Sequence, residues 1–504
     1  MNTRHGESIH SQGLVKSLLW FNLALTLYYF SWWLVPGHID NPILYFLLFV
    51  GEIYHVLMTL FFWHTLWPHK NNGITPEPLS TPKEGFLPDI DIYIPVAGEP
   101  LEVIEATVKA VKDLNYKNFK VYLLNDGFVA KKSNWREAED IARNIGVHCI
   151  TRKSPGGAKA GNINNALKKT AGEIIVIFDA DMKPHRDFLK KVLPWFINEK
   201  MGFVQVPQYY KNHSLNEITS GAWEQQEIFF GPVMEGKNRS NSAFICGTNV
   251  AIRRKALESV GGMQENNVAE DFVTSILIHQ KGWRSHYINE ILAEGLAPED
   301  LLSYVRQQRR WARGSLETLI SDNPLFKRGL TWSQKIQYLS SSLFYLNGIF
   351  VLIDMTIPLV YLYGGLRPVS ATTSSFALFF IPYMFLILYS LYVVSKGNIT
   401  FRAISFSVAS WPLQLSAIKS LIFREKSKFD ITEKKSRHGN FSYLALPHFV
   451  YIFTALGLTT IGLFREGINP SILTNVVWVI FNIAMFSPFI RAAIPNKVIN
   501  YSIV

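Results

Sequence analysis

Glu173-Ile174-Ile175-Val176-Ile177-Phe178 is an apolar, largely β-branched run that ends in Asp179-Ala180-Asp181. An unbroken apolar run of this length, closed by polar residues, reads as a buried strand. Alternate residues of an extended chain point the same way, so the carboxylates of Asp179 and Asp181 can approach one cation together. Carboxylate oxygens suit a hard divalent ion such as Mg2+ or Mn2+, which is commonly shared with substrate phosphates. Asp-x-Asp also occurs by chance in surface loops. Its position at the end of an apolar strand makes it a candidate metal or nucleotide site.

The residues before it extend the pattern. Asp91-Ile92-Tyr93-Ile94-Pro95 and Lys120-Val121-Tyr122-Leu123-Leu124 read as strands, and Glu102–Leu114 and Trp135–Ile145 have helical periodicity. Strand, helix, strand, helix predicts a parallel sheet, with ligands bound beyond the carboxyl ends of its strands. Asp126 follows the second strand at that end. Gly157-Ala158-Lys159 opens a further helix after a glycine-rich turn. A helix N-terminus with a nearby Lys suits an anionic phosphate.

Further out, the composition changes. The 504 residues are too many for one compact core. Residues from about 75 to 325 read as a soluble α/β domain, while apolar residues concentrate on either side. A bilayer core needs about 20 helical residues. Six runs qualify: Leu14–Val35, Ile43–Trp67, Tyr338–Tyr363, Ser375–Val394, Tyr443–Phe464 and Ile472–Ile490. The expected organisation is a membrane region over 1–69, a linker over 70–88, the soluble domain over 89–325 and a second membrane region over 326–504. Leu14–Val35 is too long for a signal-peptide core and lacks a cleavage site, so it reads as a retained helix.

Basic residues set the expected orientation. Pro36–Asn41 carries no Lys or Arg, whereas the segment from Lys396 to Arg437 is crowded with them. The positive-inside rule puts that segment in the cytosol, and six spans then put the soluble domain and both termini there too. The same rule accounts for the net charge of +11. No basic recognition helix or nucleic-acid motif is present, so a nucleic-acid partner is not expected. Cys149 and Cys246 stand in no metal-ligand spacing, which argues against zinc.

Phe401–Phe423 is interrupted by Ser, Pro and Gln and is expected to lie along the cytosolic interface, as are Leu301–Ile320 and Leu330–Ile336. Glu52, His55, Asn347, Asp354 and Asn482 lie inside the spans. They could line a polar channel or hydrogen-bond helix to helix. Trp32, Trp33 and Trp67, near span ends, are expected to be interface anchors.

Four more segments complete a series: Phe244-Ile245-Cys246-Gly247-Thr248, Ala269-Glu270-Asp271, Gln307-Gln308-Arg309-Arg310-Trp311 and Phe429-Asp430-Ile431-Thr432-Glu433-Lys434. With Asp126 and Asp179/Asp181 they resemble the processive family 2 glycosyltransferases, and most closely the bacterial cellulose synthase catalytic subunits. That family's pattern is D, DxD, TED, QxxRW and FxVTxK. Each motif alone is weak; the ordered series is specific. Three departures stand out. Asn125 precedes Asp126 where many relatives have two aspartates. Ala269 replaces the Thr of TED. The sequence closes soon after the sixth run, so regulation through a PilZ domain is not expected within it.

The resemblance implies an α/β GT-A (Rossmann-like) cytosolic domain inserted in an all-α transmembrane helix bundle. It implies transfer from UDP-glucose with inversion, building a β-glucan that leaves through the enzyme's own channel. The first expectation is β-1,4 linkage; mixed β-1,3/1,4 and β-1,3 are alternatives. A lipid-linked sugar transferase and a transporter with a soluble regulatory domain stand behind them. Asp271 is implied as general base, with Glu270 beside it in the catalytic pair. Glu99 and Asp126 would meet the nucleotide, with Asp179, and Asp179 and Asp181 the Mg2+ or Mn2+. Lys159, Gln307 and Arg310 would serve the donor diphosphate. Cys246 and Trp311 would meet the acceptor sugar. Phe429, Ile431, Thr432 and Lys434 would form a gating loop, with Thr432 and Lys434 reaching the donor. The implied partners are the UDP-sugar, the growing glucan, membrane lipid and accessory secretion subunits. The implied location is the inner (plasma) membrane.

Overall fold

A computed structural model describes residues 12–67, 87–425 and 441–494. Most of the expected linker 70–88 and the whole expected gating loop, Phe429, Ile431, Thr432 and Lys434 included, lie outside the described residues.

The soluble domain is built on a seven-stranded sheet. Its strands, with three short ones outside it, are β1 Ile90–Val96, β2 Phe119–Asn125, β3 His148–Thr151, β4 Ile174–Ile177, β5 Lys183–Pro184, β6 Met201–Gln205, β7 Tyr209–Tyr210, β8 Val250–Arg253, β9 Arg284–Tyr287 and β10 Ala293–Gly295. The large sheet runs β3-β2-β1-β4-β8-β6-β9, and β5, β10 and β7 form a small one. The expected strands β1, β2 and β4 are parallel neighbours, and every residue of β1 and β4 is buried. Such two-sided burial is why they read as continuous apolar runs.

The expectation of an all-parallel sheet fails at β8, which pairs antiparallel with both β4 and β6. The reversal has a consequence for the site. Val250, the first residue of β8, pairs with Ile177, the last of β4. The chain entering β8 therefore passes the carboxyl end of β4, and the Asp179 N–H donates to Thr248 Oγ1 at 2.8 Å. A parallel strand there would have carried residues 244–249 to the opposite edge.

Among the described residues, six helices are long and apolar enough to cross a membrane. Five match the expected runs to within a few residues. The third differs. The expected interfacial segment Leu330–Ile336 and the expected span are one helical run, Trp332–Gly364, narrowed only by a 3-10 turn at Phe344–Leu346. Thr331 starts it with a capping box to Gln334, worth about 1 kcal/mol. At about 1.5 Å per residue the run is longer than a bilayer core, so its first turns stand clear of it. Those turns pack on the domain. Lys237, buried, donates to Gln337 O at 2.5 Å, and Thr65 Oγ1 of the second membrane helix donates to Gln337 Oε1 at 2.8 Å. Burial brings the Lys237 amine down to about 7.

Phe401–Phe423 forms two helices, Phe401–Ala409 and Trp411–Ile422, each too short to cross. Trp32 and Trp33 are not interface anchors. Both are buried, and Trp32 Nε1 donates to Ser375 Oγ at 3.0 Å across two helices. They belong to an aromatic cluster in which Tyr29 stacks on Tyr383 at 4.5 Å. Three of the intramembrane polar residues bond helix to helix, His55 with Asp354 and Asn482 with Tyr451, both at 2.9 Å.

Candidate active site

Four strand ends converge on one cavity of about 370 Å³. From β1 come Ala97 and Glu99, whose Oε2 accepts from the Ala97 N–H at 2.6 Å. From β2 comes Asp126. From β4 come Asp179 and Asp181, and the chain into β8 brings Cys246 and Gly247. Two helices close the cavity. Glu270–Gln280 presents Glu270 and Asp271 in its first turn, and Leu301–Ser321 presents Gln307, Arg310 and Trp311 one turn apart. Every expected site residue among the described residues borders this cavity.

Asp271 sits inside the first turn of the Glu270–Gln280 helix; Ala269 is the N-cap and offers no side-chain cap. Asp271 Oδ1 accepts from the Phe272 N–H at 2.7 Å. Gly247, at φ +81°, passes close by: a Cβ there would lie 3.1 Å from Asp271 Oδ2. Ala269 faces Gly314 so closely that a Cβ on Gly314 would be 2.6 Å from the Ala269 Cβ. Two small residues thus let the helix bearing Gln307 and Trp311 approach the acids.

Two ion pairs order the charges. Lys159 Nζ forms an ion pair with Asp179 and donates to Gly247 O at 2.8 Å. Asp126 is gripped from two sides by Arg152, Nε to Oδ1 at 2.8 Å and Nη2 to Oδ2 at 2.5 Å. Arg152 also donates to Ala158 O at 3.1 Å, tying Asp126 to the glycine-rich turn. Sequence reasoning missed Arg152 because it missed β3, the short strand that ends just before it. Val147-His148-Cys149-Ile150 after a helix was the available signal. Tyr210 was also missed; it is buried against the cavity.

Burial dominates the acids. It raises the pKa of Glu270, and the neighbouring Asp271 raises it further, against Lys159 and Arg310. It raises Asp271 too, opposed by the Phe272 N–H, Lys159 and Arg310. Burial also raises Glu99. Lys159 is pushed down by burial, but Asp179 and Glu270 outweigh that and leave it above its ordinary value. The cavity thus holds a strengthened base beside fixed cations.

A cation would find Asp179 and Asp181 as its protein ligands. No group of three or more His, Cys, Asp or Glu side chains is gathered for a metal among the described residues. Two hard oxygen donors fit an ion of the Mg2+ or Mn2+ kind, which keeps waters and takes substrate phosphate oxygens as its remaining ligands.

Residues 88–314 match the family model described as glycosyltransferase like family 2, and residues 258–411 match the one described as cellulose synthase. The two matches overlap and together place residues 88–411 among the family 2 glycosyltransferases. This glycosyltransferase is 29% identical over 472 residues to the UDP-forming cellulose synthase catalytic subunit of Pseudomonas fluorescens, covering 88% of this chain and 61% of the relative. It is 33% identical over 349 residues to that of Xanthomonas axonopodis pv. citri, covering 67% and 46%. It is 28% identical over 530 residues to that of Komagataeibacter sucrofermentans, covering 99% and 68%. The chain thus spans less than two thirds of the length of the first two. Among solved structures, a mannosyltransferase from Pyrobaculum calidifontis, in complex with GDP-Man and Mn2+, aligns at a TM-score of 0.51 and 15% identity. It covers 76% of this chain and 100% of its own. That likeness establishes the glycosyltransferase fold. With its six apolar helices, the glycosyltransferase is membrane-integral.

Proposed function

We propose that the protein is a processive, inverting glucosyltransferase that polymerises UDP-glucose into a β-1,4-linked glucan and passes the chain between its own membrane helices. The observation that carries this reading is a second cavity, of about 380 Å³, that shares Asp271, Cys246 and Trp311 with the first. Its walls are rich in aromatic rings, Phe61, Phe62, Phe229, Phe244 and Tyr345 among them, interleaved with Gln and Ser, and it runs from the acids to the second membrane helix. A charged cavity suits a nucleotide diphosphate, and an aromatic one suits the apolar faces of sugar rings. The one group common to both that can take a proton is a carboxylate, Asp271. The names of the relatives supply the donor and the product.

In this reading Asp271 takes the proton from the acceptor hydroxyl. The oxygen attacks C1 from the face opposite the diphosphate, the new C1–O bond forms as the C1–phosphate oxygen bond breaks, and UDP leaves. Its raised pKa makes Asp271 a stronger base than a free carboxylate. Glu270, beside it, has its own pKa raised by burial and by Asp271, so the pair favours a single negative charge, on Asp271. Lys159 and Arg310 neutralise the departing diphosphate, and Gln307 adds an amide there. Glu99 and Asp126, with Arg152 holding Asp126, receive the nucleoside. Trp311 stacks on the terminal sugar, and Cys246 lines its other side. Asp179 and Asp181 would hold a divalent cation that supplies further charge to the diphosphate. The basic segment after the fourth span supports a cytosolic domain at the inner membrane.

The test is the purified full chain with labelled UDP-glucose and a divalent cation. A polymer released by a β-1,4-specific glucanase is expected. A single labelled lipid, or UDP release with no polymer, would overturn the reading; a product cut only by a β-1,3 or mixed-linkage enzyme would correct the linkage.

A further inference from the structure

His55 and Asp354 bridge the second and third membrane helices through Nε2 and Oδ2 at 2.9 Å. His55 lies 11 residues, or about 16 Å, from the domain end of its helix, which is near the middle of a bilayer. The side chains are 34% and 40% exposed within the protein. Ionisable groups turned to that extent toward hydrocarbon would be costly, so their open surface faces a wet lumen. Glu52, one helical turn away, is near enough to interact electrostatically with both.

The aromatic cavity ends one helical turn short of this pair. Met58 is its wall residue furthest along the second membrane helix from the domain, and His55 is three residues beyond on the same helix face. Gly51 leaves room beside the carboxylate: a Cβ there would be 3.5 Å from Asp354 Oδ1. Tyr54 stacks on Phe350 at 3.9 Å and packs the next helix face.

We propose that the His55–Asp354 pair, with Glu52, is a carbohydrate-binding constriction in the product path, closed by its own hydrogen bond and opened by sugar hydroxyls. A hydroxyl both donates and accepts. It can donate to the Asp354 carboxylate and accept from the His55 ring, replacing the bond it parts. The chain then crosses the midplane without leaving either ionisable group unpaired in a dry environment. An apolar constriction would strip those hydroxyls of partners at each advance. The proposal rests on the polymerase reading above.

The experiment places cysteines in the full chain in membrane vesicles and reads each labelled peptide by mass. His55→Cys and Met58→Cys are expected to react with a small water-soluble thiol reagent, whereas Phe453→Cys, exposed on the fifth membrane helix, is expected to be inert. Turnover of UDP-glucose to polymer should protect positions 55 and 58 by roughly tenfold, the factor for a site open one tenth of the time. Absence of labelling at 55, or labelling unchanged while polymer accumulates, overturns the proposal. If the wild type makes no polymer, the polymerase reading fails first and the carbohydrate ligand goes with it; labelling at 55 would still report a wet path. The variant carrying both His55→Leu and Asp354→Leu separates a binding role from helix gluing, since it keeps the helices packed without the hydrogen bond. Product length is expected to fall roughly tenfold, as loss of about 1.4 kcal/mol would give, with initial UDP release on a short acceptor unchanged. Product of wild-type length would overturn the proposal.

Discussion

The two cavities are nearly the same size, about 370 and 380 Å³, yet they are made from opposite materials. The first lies at strand ends and gathers Asp, Glu, Lys and Arg side chains. The second lies between the domain and the membrane helices and gathers Phe, Tyr and Trp among Gln and Ser. They meet at Asp271, Cys246 and Trp311. Charge is useful where a diphosphate must be held and released, because fixed ions in a buried site act strongly on it. A sliding polymer needs contacts without deep, specific minima, and ring faces supply them. The division predicts that substitutions in the first cavity act on the donor, substitutions in the second act on the acceptor, and substitutions in the shared wall act on the chemical step.

The largest effect is expected in the first cavity. Asp179→Ala or Asp181→Ala, or an excess of chelator on the wild type, should lower polymer synthesis by about three orders of magnitude or more. Binding of an oligosaccharide acceptor should persist. Full synthesis in chelator would remove the cation and blur the contrast between the cavities. Next comes the shared wall. Asp271→Asn should reduce turnover by about 10²–10⁴-fold while leaving donor affinity near normal. An equal loss of donor affinity, measured by calorimetry, would assign Asp271 to the donor side alone.

A smaller effect is expected in the second cavity. Phe62→Ala should raise the acceptor KM by roughly threefold to tenfold, the range for one lost ring contact of about 0.5–1.5 kcal/mol, and leave the UDP-glucose KM unchanged. A change in the donor KM instead would mean that the cavities are not separate in function. The smallest effect is a shift in a pH profile. Asp271 acts as a base only when ionised, and burial raises its pKa. Turnover should therefore fall on acidification with a midpoint above the ordinary carboxylate value. The Arg310 charge opposes that rise, so Arg310→Gln should move the acid limb to still higher pH. A limb that stays put or moves down would show that Arg310 does not govern the base.

Much of the first cavity is legible in the sequence. β1, β2 and β4 are short apolar runs with acids or turns at their ends, and the six spans are apolar runs of the right length. Both signals are local, set by the solvent each side chain must face. That Asp126, Asp179, Asp271 and Arg310 converge follows from the motif series; no spacing argument could bring residues 126 and 310 together. The second cavity is not legible there. Phe61, Phe229 and Tyr345 look like ordinary core or membrane residues, and only the seam between domain and helices makes them a wall.

The sequence by itself determined that β1, β2 and β4 are strands, which segments can span a bilayer and which acids stand at strand ends, because burial on two faces, on one helix or in lipid each leaves a periodicity or a length. Tertiary structure alone decided that β8 runs backwards and delivers Thr248 to Asp179, that Arg152 grips Asp126, that Trp32 and Trp33 face other helices instead of lipid, and that His55 meets Asp354. Each of these depends on which surface of one element is packed against another. The free energy of that choice is shared among residues hundreds of positions apart, and no local pattern records it.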